Sequence, residues 1–401
     1  AEGTVHGAWS APSFQNGIPE DPEWLLEHMD DFGTARCENH YNLSWAWALD
    51  SPFQWMKQVA SHFGGTRNAM AVQWPKRFTD AGGLRTQFHH VVDVMPTLLA
   101  AAGVEIPTMV NGLQQLPVDG VSMLYAMDGS DGASTRSTQY FEMFGNRAIY
   151  HEGWIASCFH GRVPWNRFGM VPFDGPQEKW ELYNIAEDFS QGVDLSAQFP
   201  DKLAELLQLF DSEAKRNNVY PLREPGSTLG MTVVPPENLG GLKKMTYTAD
   251  HIRMPERSVV NLKNCSFRIT AEVVVPKAGS RGVIVCQGGN MAGWTLYVND
   301  AGCPVYHYNW MGHDHFVTTS VTPLTPGQHE IIVDFVYDGG FGAGGHAVLL
   351  VDGSPAAHTY VERSVPIVFS MGGESFDVGM DTGAPVGFYP HVCRFVGDIV
   401  G

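Results

Sequence analysis

The chain has 401 residues, of which 44% are hydrophobic and 17% charged, and its formal net charge is −18. This length and composition indicate a folded globular protein with two or three domains, not a disordered chain. Binding to nucleic acid is not expected, because no basic stripe exists to displace phosphate counterions. No apolar run approaches the ~18 residues of a membrane span, and no signal peptide is visible at the start.

The first hundred residues predict a mixture of irregular backbone, helix and strand. Residues 1 to about 50 contain many Gly, Asn and Pro breaks, with one helical segment near Trp24 to Met29. Residues 69–74 are short, apolar and closed by Pro, which predicts a buried strand. Asp93 then predicts a helix N-cap, and Gly103 predicts the end of that helix. A strand followed by a helix indicates an α/β layer.

The next hundred residues predict a small sheet and one long helix. Between Thr138 and Ile185 the chain is rich in aromatic and β-branched residues separated by Gly, Pro and Asn, which is typical of strands. Pro200 then opens an amphipathic helix with Asp201 in its first turn. Its apolar stripe follows helical spacing and consists of Leu203, Leu206, Leu207, Phe210 and Ala214.

The second half of the chain loses helical periodicity. Residues 223–245 are rich in Gly and Pro and predict a linker. Residues 246–401 contain short strands at regular spacing, separated by Gly, Asn-Asp, Pro-Gly and Asp-Gly turns, which predicts an all-β sandwich or jelly roll. The predicted strands are Ser266–Val275, Gly282–Cys286, Trp294–Val298, Pro304–Asn309, Glu330–Tyr337 and Ala347–Val351.

Three acidic or histidine-containing segments are candidate metal sites. His313 and His315 share one face of an extended segment, but no third ligand is identifiable, so a polar loop is the alternative. Asp377 and Asp381 alternate with glycines and suit either a weak structural calcium or a tight turn. The adjacent pair of residues 30–31 lies at a polar helix end, where we expect no metal.

The segment from Ser51 to Arg67 carries the most specific pattern in the chain. A mostly apolar and aromatic stretch precedes Lys57, and a Gly64-Gly65 corner follows shortly after it. A lysine ahead of a glycine corner can hold its ammonium on an anionic group while the backbone packs closely behind it. A solvated surface lysine is the alternative.

This segment resembles the lysine-to-Gly-Gly region of sulfatases in the alkaline phosphatase superfamily, and the chain after it resembles a bacterial-type arylsulfatase. The resemblance implies a partial α/β sulfatase core over residues 1–222, in which residues 138–222 form a small antiparallel sheet covered by a helix. Phe144–Arg147 and Trp180–Asn184 match that subdomain in order. The resemblance assigns Lys57 as the catalytic residue that clamps sulfate and stabilises the leaving group, and it places His62 close by as a substrate-binding residue.

The family's nucleophile, a formylglycine made from Cys or Ser in a Cys/Ser-x-Pro-x-Arg segment, has no counterpart among the 401 residues. The resemblance implies Ca²⁺ in the complete enzyme, with ligands that do not lie in this chain. We therefore expect the later part of a sulfuric ester hydrolase, inactive alone, whose partners are the missing N-terminal segment and a small anionic sulfate ester. A periplasmic or secreted location is what the family implies.

Two alternatives to a sulfatase stay open. One is a non-catalytic carbohydrate-binding or structural protein on a truncated sulfatase scaffold. The other is a related phosphate or phosphonate ester hydrolase, because the superfamily reuses this scaffold for other esters.

Overall fold

The computed structural model describes residues 4–78, 82–129, 132–166, 171, 173, 178–222, 242–249, 251–370, 373–390 and 393–401. The helices are α1 (Ala11–Gln15), α2 (Pro22–Glu27), α3 (Leu43–Asp50), α4 (Phe63–Thr66), α5 (Val94–Ala102), α6 (Leu124–Asp128) and α7 (Pro200–Arg216). The strands are β1 (Met109–Val110), β2 (Leu113–Gln114), β3 (Thr138–Met143), β4 (Asn146–His151), β5 (Trp154–Cys158), β6 (Trp180–Asn184), β7 (Phe267–Val275), β8 (Gly282–Gly289), β9 (Ala292–Val298), β10 (Pro304–Trp310), β11 (Asp314–Thr319), β12 (Gly327–Tyr337), β13 (Ala343–Val351), β14 (Ser354–Arg363), β15 (Phe376–Val378) and β16 (Asp398–Ile399).

The chain divides into two compact units. The first unit contains residues 46–228, and the second contains residues 1–45 together with residues 229–401. Residues 1–45 thus group with the C-terminal half of the chain, whereas the sequence places them with the residues up to 222. Most of the linker predicted at residues 223–245 lies outside the described residues. The predicted domain boundaries themselves stay a prediction.

A four-stranded antiparallel sheet in the order β3-β4-β5-β6, covered by α7, forms the main layer pair of the first unit. The apolar stripe of α7 is buried through Leu206 and Phe210, which pack in one cluster with Ile149 of β4 and Leu182 of β6. The predicted amphipathic helix from Pro200 is therefore confirmed. In the described part of the chain, no helix is long and apolar enough to cross a membrane.

The strand predicted at residues 69–74 is wrong. These residues have no strand assignment, and the side chains of Met70 and Val72 are 60% and 46% exposed. A strand needs a neighbour to satisfy its backbone hydrogen-bonding groups, and none of the described strands pairs with this segment. An apolar run closed by proline was therefore not sufficient to make a strand here.

The predicted helix that follows Asp93 is confirmed as α5, which ends at Gly103 in the left-handed conformation (φ 68°). Asp93 lies at the predicted N-cap position, but its side chain makes no hydrogen bond to the first turn of α5. One carboxylate oxygen instead accepts the backbone N–H of His90 at 3.0 Å, which closes the short 3-10 turn Val91–Asp93.

Two five-stranded antiparallel sheets build the second unit, in the orders β11-β10-β9-β8-β15 and β14-β13-β12-β7-β16. Residues of both sheets share one buried core, in which Trp294 and Leu296 of β9 cluster with Ile331 and Val333 of β12. Each strand predicted between residues 266 and 351 overlaps an observed strand. Assignment of this unit to the sandwich or jelly-roll class stays a prediction.

The six cysteines are free thiols, and no disulfide joins them. Three of them, Cys158, Cys286 and Cys303, are buried. Burial raises the pKa of Cys158 and of Cys286, so both thiols stay protonated and unreactive at neutral pH.

Candidate active site around Lys57

The loop that carries Lys57 exposes this side chain between buried neighbours. Met56 and Val59 are fully buried, whereas Lys57 is exposed. Trp55 and Gln58 both adopt positive φ, 65° and 80°, which is uncommon for residues with a side chain. The loop is therefore tightly wound, with its apolar residues inward and the lysine outward.

The Gly64-Gly65 corner packs directly against the backbone of this loop. A Cβ atom added to Gly64 would lie 2.1 Å from the carbonyl oxygen of Trp55, and one added to Gly65 would lie 2.1 Å from that of Val59. The Gly64 N–H also donates to the carbonyl of Gln54 at 3.0 Å. Only glycine fits at these two positions, so the corner fixes the backbone on both sides of Lys57.

The residue after Lys57 is held by the sheet of the first unit. The side-chain amide of Asn146, the first residue of β4, donates to the backbone carbonyl of Gln58 at 3.0 Å. The guanidinium of Arg162, which is 3% exposed, donates to the side-chain carbonyl of Gln58 and lies 4.8 Å from the centre of the Phe144 ring. The loop is thus anchored to β4 and to the chain that follows β5.

His62, predicted to bind substrate, is 1% exposed and has hydrogen-bond partners at both ring nitrogens. Its Nδ1 lies 2.9 Å from the Ser61 hydroxyl, and its Nε2 lies 3.2 Å from Oε2 of Glu181 on β6. The hydrogen bond with His62, supported by one from Tyr183, lowers the pKa of Glu181. His62 therefore links the glycine corner to β6 from inside the unit, and its contact with substrate stays a prediction.

A further residue of the site, Gln191, carries no sequence motif. Its side-chain oxygen accepts the backbone N–H of Phe63 at 2.7 Å, and its side-chain amide donates to the Ser157 hydroxyl of β5 at 3.1 Å. Its backbone carbonyl also accepts a hydrogen bond from Gln54. One glutamine thus ties the start of α4, the Lys57 loop and β5 together.

Arg67, the arginine after the glycine corner, packs among aromatic rings. Its guanidinium lies 5.2 to 5.6 Å from the ring centres of Phe53, Phe63 and Phe189. Burial lowers its pKa, although an arginine keeps its charge at any physiological pH. The cation–π contacts fix this side chain against the apolar face of the loop.

The candidate calcium residues Asp377 and Asp381 form, with Cys286, the one group of three potential ligands within the described ranges. Their carboxylates already accept protein hydrogen bonds. Asp377 accepts from the backbone and the hydroxyl of Thr382 at 3.0 and 2.7 Å, and Asp381 accepts from the Tyr389 hydroxyl at 2.7 Å. Calcium prefers a shell of oxygen ligands, so an ion here would have to displace these hydrogen-bond donors and could not use the Cys286 thiol well. Calcium at this position stays a prediction.

The other candidate ligands do not come together. Asp30 is exposed, whereas Asp31 is buried and pairs with Arg36 at 3.1 Å. The Nε2 atom of His313 lies 2.9 Å from the Glu20 carboxylate, and the Nδ1 atom of His315 lies 2.8 Å from Nε2 of His307. The two imidazoles of the His-Asp-His segment therefore have different partners, as the polar-loop alternative predicts.

The part of the chain that contains Lys57 is similar to known sulfatases. Residues 53–208 match the family N-sulphoglucosamine sulphohydrolase, C-terminal. An uncharacterized sulfatase of Schizosaccharomyces pombe is 24% identical over 184 residues, covering 45% of this chain and 30% of that protein. An N-acetylglucosamine-6-O-sulfatase of Bacteroides thetaiotaomicron is 24% identical over 152 residues, covering 37% and 25%. The solved structure of BT4656 in complex with its substrate D-glucosamine-2-N,6-O-disulfate is 19% identical with a TM-score of 0.27, covering 37% of this chain and 28% of that one.

Residues 53–208 thus match the C-terminal region of a sulfatase family, and the resemblance to sulfatases stated from the sequence is confirmed for this region. The matched region contains Lys57, the glycine corner, His62 and the sheet of the first unit. The chain spans about 25–30% of the length of the two curated relatives.

Proposed function

We propose that this chain is part of a sulfuric ester hydrolase of the arylsulfatase type, in which Lys57 contacts the sulfate ester. The observation that supports the proposal is the packing of Gly64 and Gly65 against the loop of Lys57, inside the region that matches the sulfatase family. A glycine pair that admits no side chain, next to an exposed lysine on a tightly wound loop, suits a site where one charge must be held in a fixed place.

Lys57 would act on the charge that appears as the ester breaks. Negative charge sits on the terminal sulfate oxygens and develops on the bridging oxygen as the S–O bond lengthens. An ammonium group already in place stabilises this charge without reorganisation in the transition state. Because the chain has a net charge of −18, an anionic substrate depends on such local positive groups for capture.

The family's formylglycine and Ca²⁺ would supply the nucleophile and a further positive charge when present. No Cys/Ser-x-Pro-x-Arg segment occurs in the sequence, and the one group of three potential metal ligands found among the described residues, Cys286, Asp377 and Asp381, belongs to the second unit and not to that of Lys57. We therefore propose that the 401-residue chain alone does not turn over sulfate esters. The periplasmic or secreted location implied by the family belongs to the same proposal.

Two other functions remain alternatives, and one assay separates them from the sulfatase. The purified chain, joined to an N-terminal sulfatase segment that carries the formylglycine motif, is assayed with an aryl sulfate and with the matching aryl phosphate. Preference for the phosphate supports the phosphate or phosphonate ester hydrolase. Hydrolysis of neither ester supports the non-catalytic carbohydrate-binding or structural protein.

Replacement of Lys57 tests the proposal directly. In the protein that carries the N-terminal segment, Lys57→Ala should lower kcat for the aryl sulfate by roughly two to three orders of magnitude. This corresponds to about 3–4 kcal/mol, the cost of losing one preorganised donor to a developing oxyanion. The fold should be unchanged, because the side chain is exposed. The measurements are steady-state kinetics and urea unfolding of the same preparations.

Lys76→Ala is the matched control, because Lys76 is also exposed but lies in a turn outside the Lys57 loop. Its variant should retain activity. Small and equal effects of the two substitutions would show that Lys57 is an ordinary surface lysine.

A further inference from the structure

A cleft of about 470 Å³ lies within the second unit and shares no residue with the Lys57 loop. One side is formed by residues 9–36, and the other by the β8–β9 and β10–β11 hairpin turns and residues 385–388. Its volume is within the range of about 300–1,000 Å³ that is typical of small-molecule sites.

Aromatic rings in fixed orientations line the first side of the cleft. The Trp24 indole stacks on the His28 imidazole with ring centres 3.8 Å apart and an interplanar angle of 19°. Trp9 meets Trp24 edge to face at 5.6 Å, and the His313 ring lies 4.4 Å from Trp24. Because each ring is packed against another, this surface is rigid before any ligand binds.

A second aromatic face comes from Phe388, whose side chain is 70% exposed although it is large and apolar. Its ring centre lies 4.7 Å from that of His307 and 4.9 Å from that of His315. The ring of Phe388 thus lines the cleft and is accessible to a ligand there.

Among the polar groups that line the cleft, His315 is paired with the buried His307. His307 and His315 share one hydrogen bond, and burial, aided by the proximity of the two rings, lowers the pKa of His307 to about 3; burial also lowers that of His315. Both rings are therefore neutral at pH 7. The second ring nitrogen of His315 has no hydrogen-bond partner among the residues that the structure describes. The Arg36 guanidinium is already paired with Asp31 at 3.1 Å.

We propose that this cleft binds a neutral hexopyranose unit of a glycan. The apolar C–H face of a sugar ring packs against indole and phenyl rings, and its hydroxyls both donate and accept hydrogen bonds, as neutral imidazoles do. An anionic sugar is disfavoured, because the one arginine among the lining residues already has Asp31 as its partner and the chain carries a net charge of −18. The proposal rests on residues other than those of the sulfatase proposal and holds or fails independently of it.

Ligand-observed NMR titration of the full chain with chitotriose, cellotriose and N-acetyllactosamine tests this site. A sulfated heparin disaccharide serves as the anionic comparison. At least one neutral probe should bind, and Trp24→Ala and Phe388→Ala should each weaken its binding by about tenfold or more, as expected for an aromatic contact worth about 1.4 kcal/mol. Phe388 is exposed, so its replacement leaves the fold intact, which circular dichroism verifies.

Phe341→Ala is the matched control, because this ring is 69% exposed in the same unit and does not line the cleft. It should leave binding unchanged. Absence of binding by every neutral probe at millimolar concentration, stronger binding of the sulfated disaccharide, or equal affinities for all three variants would overturn the proposal.

Discussion

At the scale of single residues, the position of Lys57 depends on neighbours that cannot be exchanged for larger ones. Gly64 and Gly65 leave room for the carbonyl oxygens of Trp55 and Val59, and Asn146 holds the carbonyl of Gln58. Each contact acts on the backbone next to the lysine and not on its side chain. The packing of the main chain therefore sets the position from which the exposed Lys57 side chain projects.

Gly64→Ala should destabilise the first unit by about 1–3 kcal/mol, the usual cost of forcing extra atoms into a packed site. The added Cβ would meet the Trp55 carbonyl oxygen, and backbone cannot move aside as a flexible side chain can. Gly129→Ala is the control, because nothing lies within 4 Å of its added Cβ and its φ of −175° suits any residue. Urea unfolding measures both, and equal free energies of unfolding would contradict the close packing of the corner.

Only part of this site can be predicted from the sequence, because its supporting residues are distant from Lys57 along the chain. Lys57 and the glycine pair are visible because they lie within one short segment with a specific pattern. Their supports come from far along the chain. Asn146 lies 88 residues from Gln58, Glu181 lies 119 residues from His62, and Gln191 lies 128 residues from Phe63. No local pattern identifies such partners, since the sheet brings them together only after folding.

At the scale of elements, local periodicity predicted helices better than isolated strands. The stripe of α7 specifies a buried face at every turn, whereas the apolar run at residues 69–74 specifies no partner. A helix satisfies its backbone within itself, but a strand depends on a neighbour. In the second unit, successive strands supply each other with neighbours through short turns, which is why those predictions coincide with observed strands.

Asp93 connects several elements of the first unit and is fully buried. Its carboxylate accepts hydrogen bonds from the Arg136 guanidinium, from the backbone N–H of Val121 at 2.8 Å and from that of His90 at 3.0 Å. Burial by itself raises the pKa of Asp93, but these hydrogen bonds and the charge of Arg136 outweigh it and hold the pKa well below its usual range. The ion pair between Asp93 and Arg136 joins the start of α5 to the residues that precede β3.

Asp93→Asn should lower the free energy of unfolding at pH 7 by about 3–5 kcal/mol, because it leaves the nearly buried Arg136 without its counter-charge. A depressed pKa stabilises the fold above about pH 4, the value of an unfolded Asp, and this stabilisation is lost as the pH falls towards the folded value. The wild-type stability should therefore fall more steeply below pH 4 than that of the variant. Urea unfolding as a function of pH measures both slopes.

Asp128→Asn is the control for this prediction, because Asp128 pairs with Arg77 at the surface, where solvent screens the interaction. It should change the unfolding free energy little at any pH. If the free energies of unfolding of the wild type and Asp93→Asn fall with the same slope below pH 4, Asp93 is not the residue that makes the fold sensitive to acid.

At the scale of the whole molecule, the first 45 residues belong structurally to the C-terminal unit. Asn16, which is 1% exposed, lies at the centre of this association. Its side-chain oxygen accepts the backbone N–H groups of Ile367 and Val368 at 2.8 and 3.0 Å, and its amide donates to the Val368 carbonyl at 2.8 Å. The sequence could not show this, because these contacts span more than 350 residues of chain.

Asn16→Ala should destabilise the second unit by about 1–3 kcal/mol, because it leaves two partly buried backbone N–H groups and a carbonyl without these partners. Hydrogen–deuterium exchange should accelerate in residues 365–369 and in α1, and stay unchanged in α7, which belongs to the first unit. Asn39→Ala is the control, because Asn39 is exposed and its contact with the Cys37 thiol spans 3.9 Å. Exchange rates at residues 365–369 that are the same in both variants would show that residues 4–45 do not stabilise the two-sheet unit. Faster exchange confined to residues 365–369 and α1 would assign residues 4–45 to the unit that contains the aromatic cleft, so that the sulfatase-like part of the chain begins after residue 45.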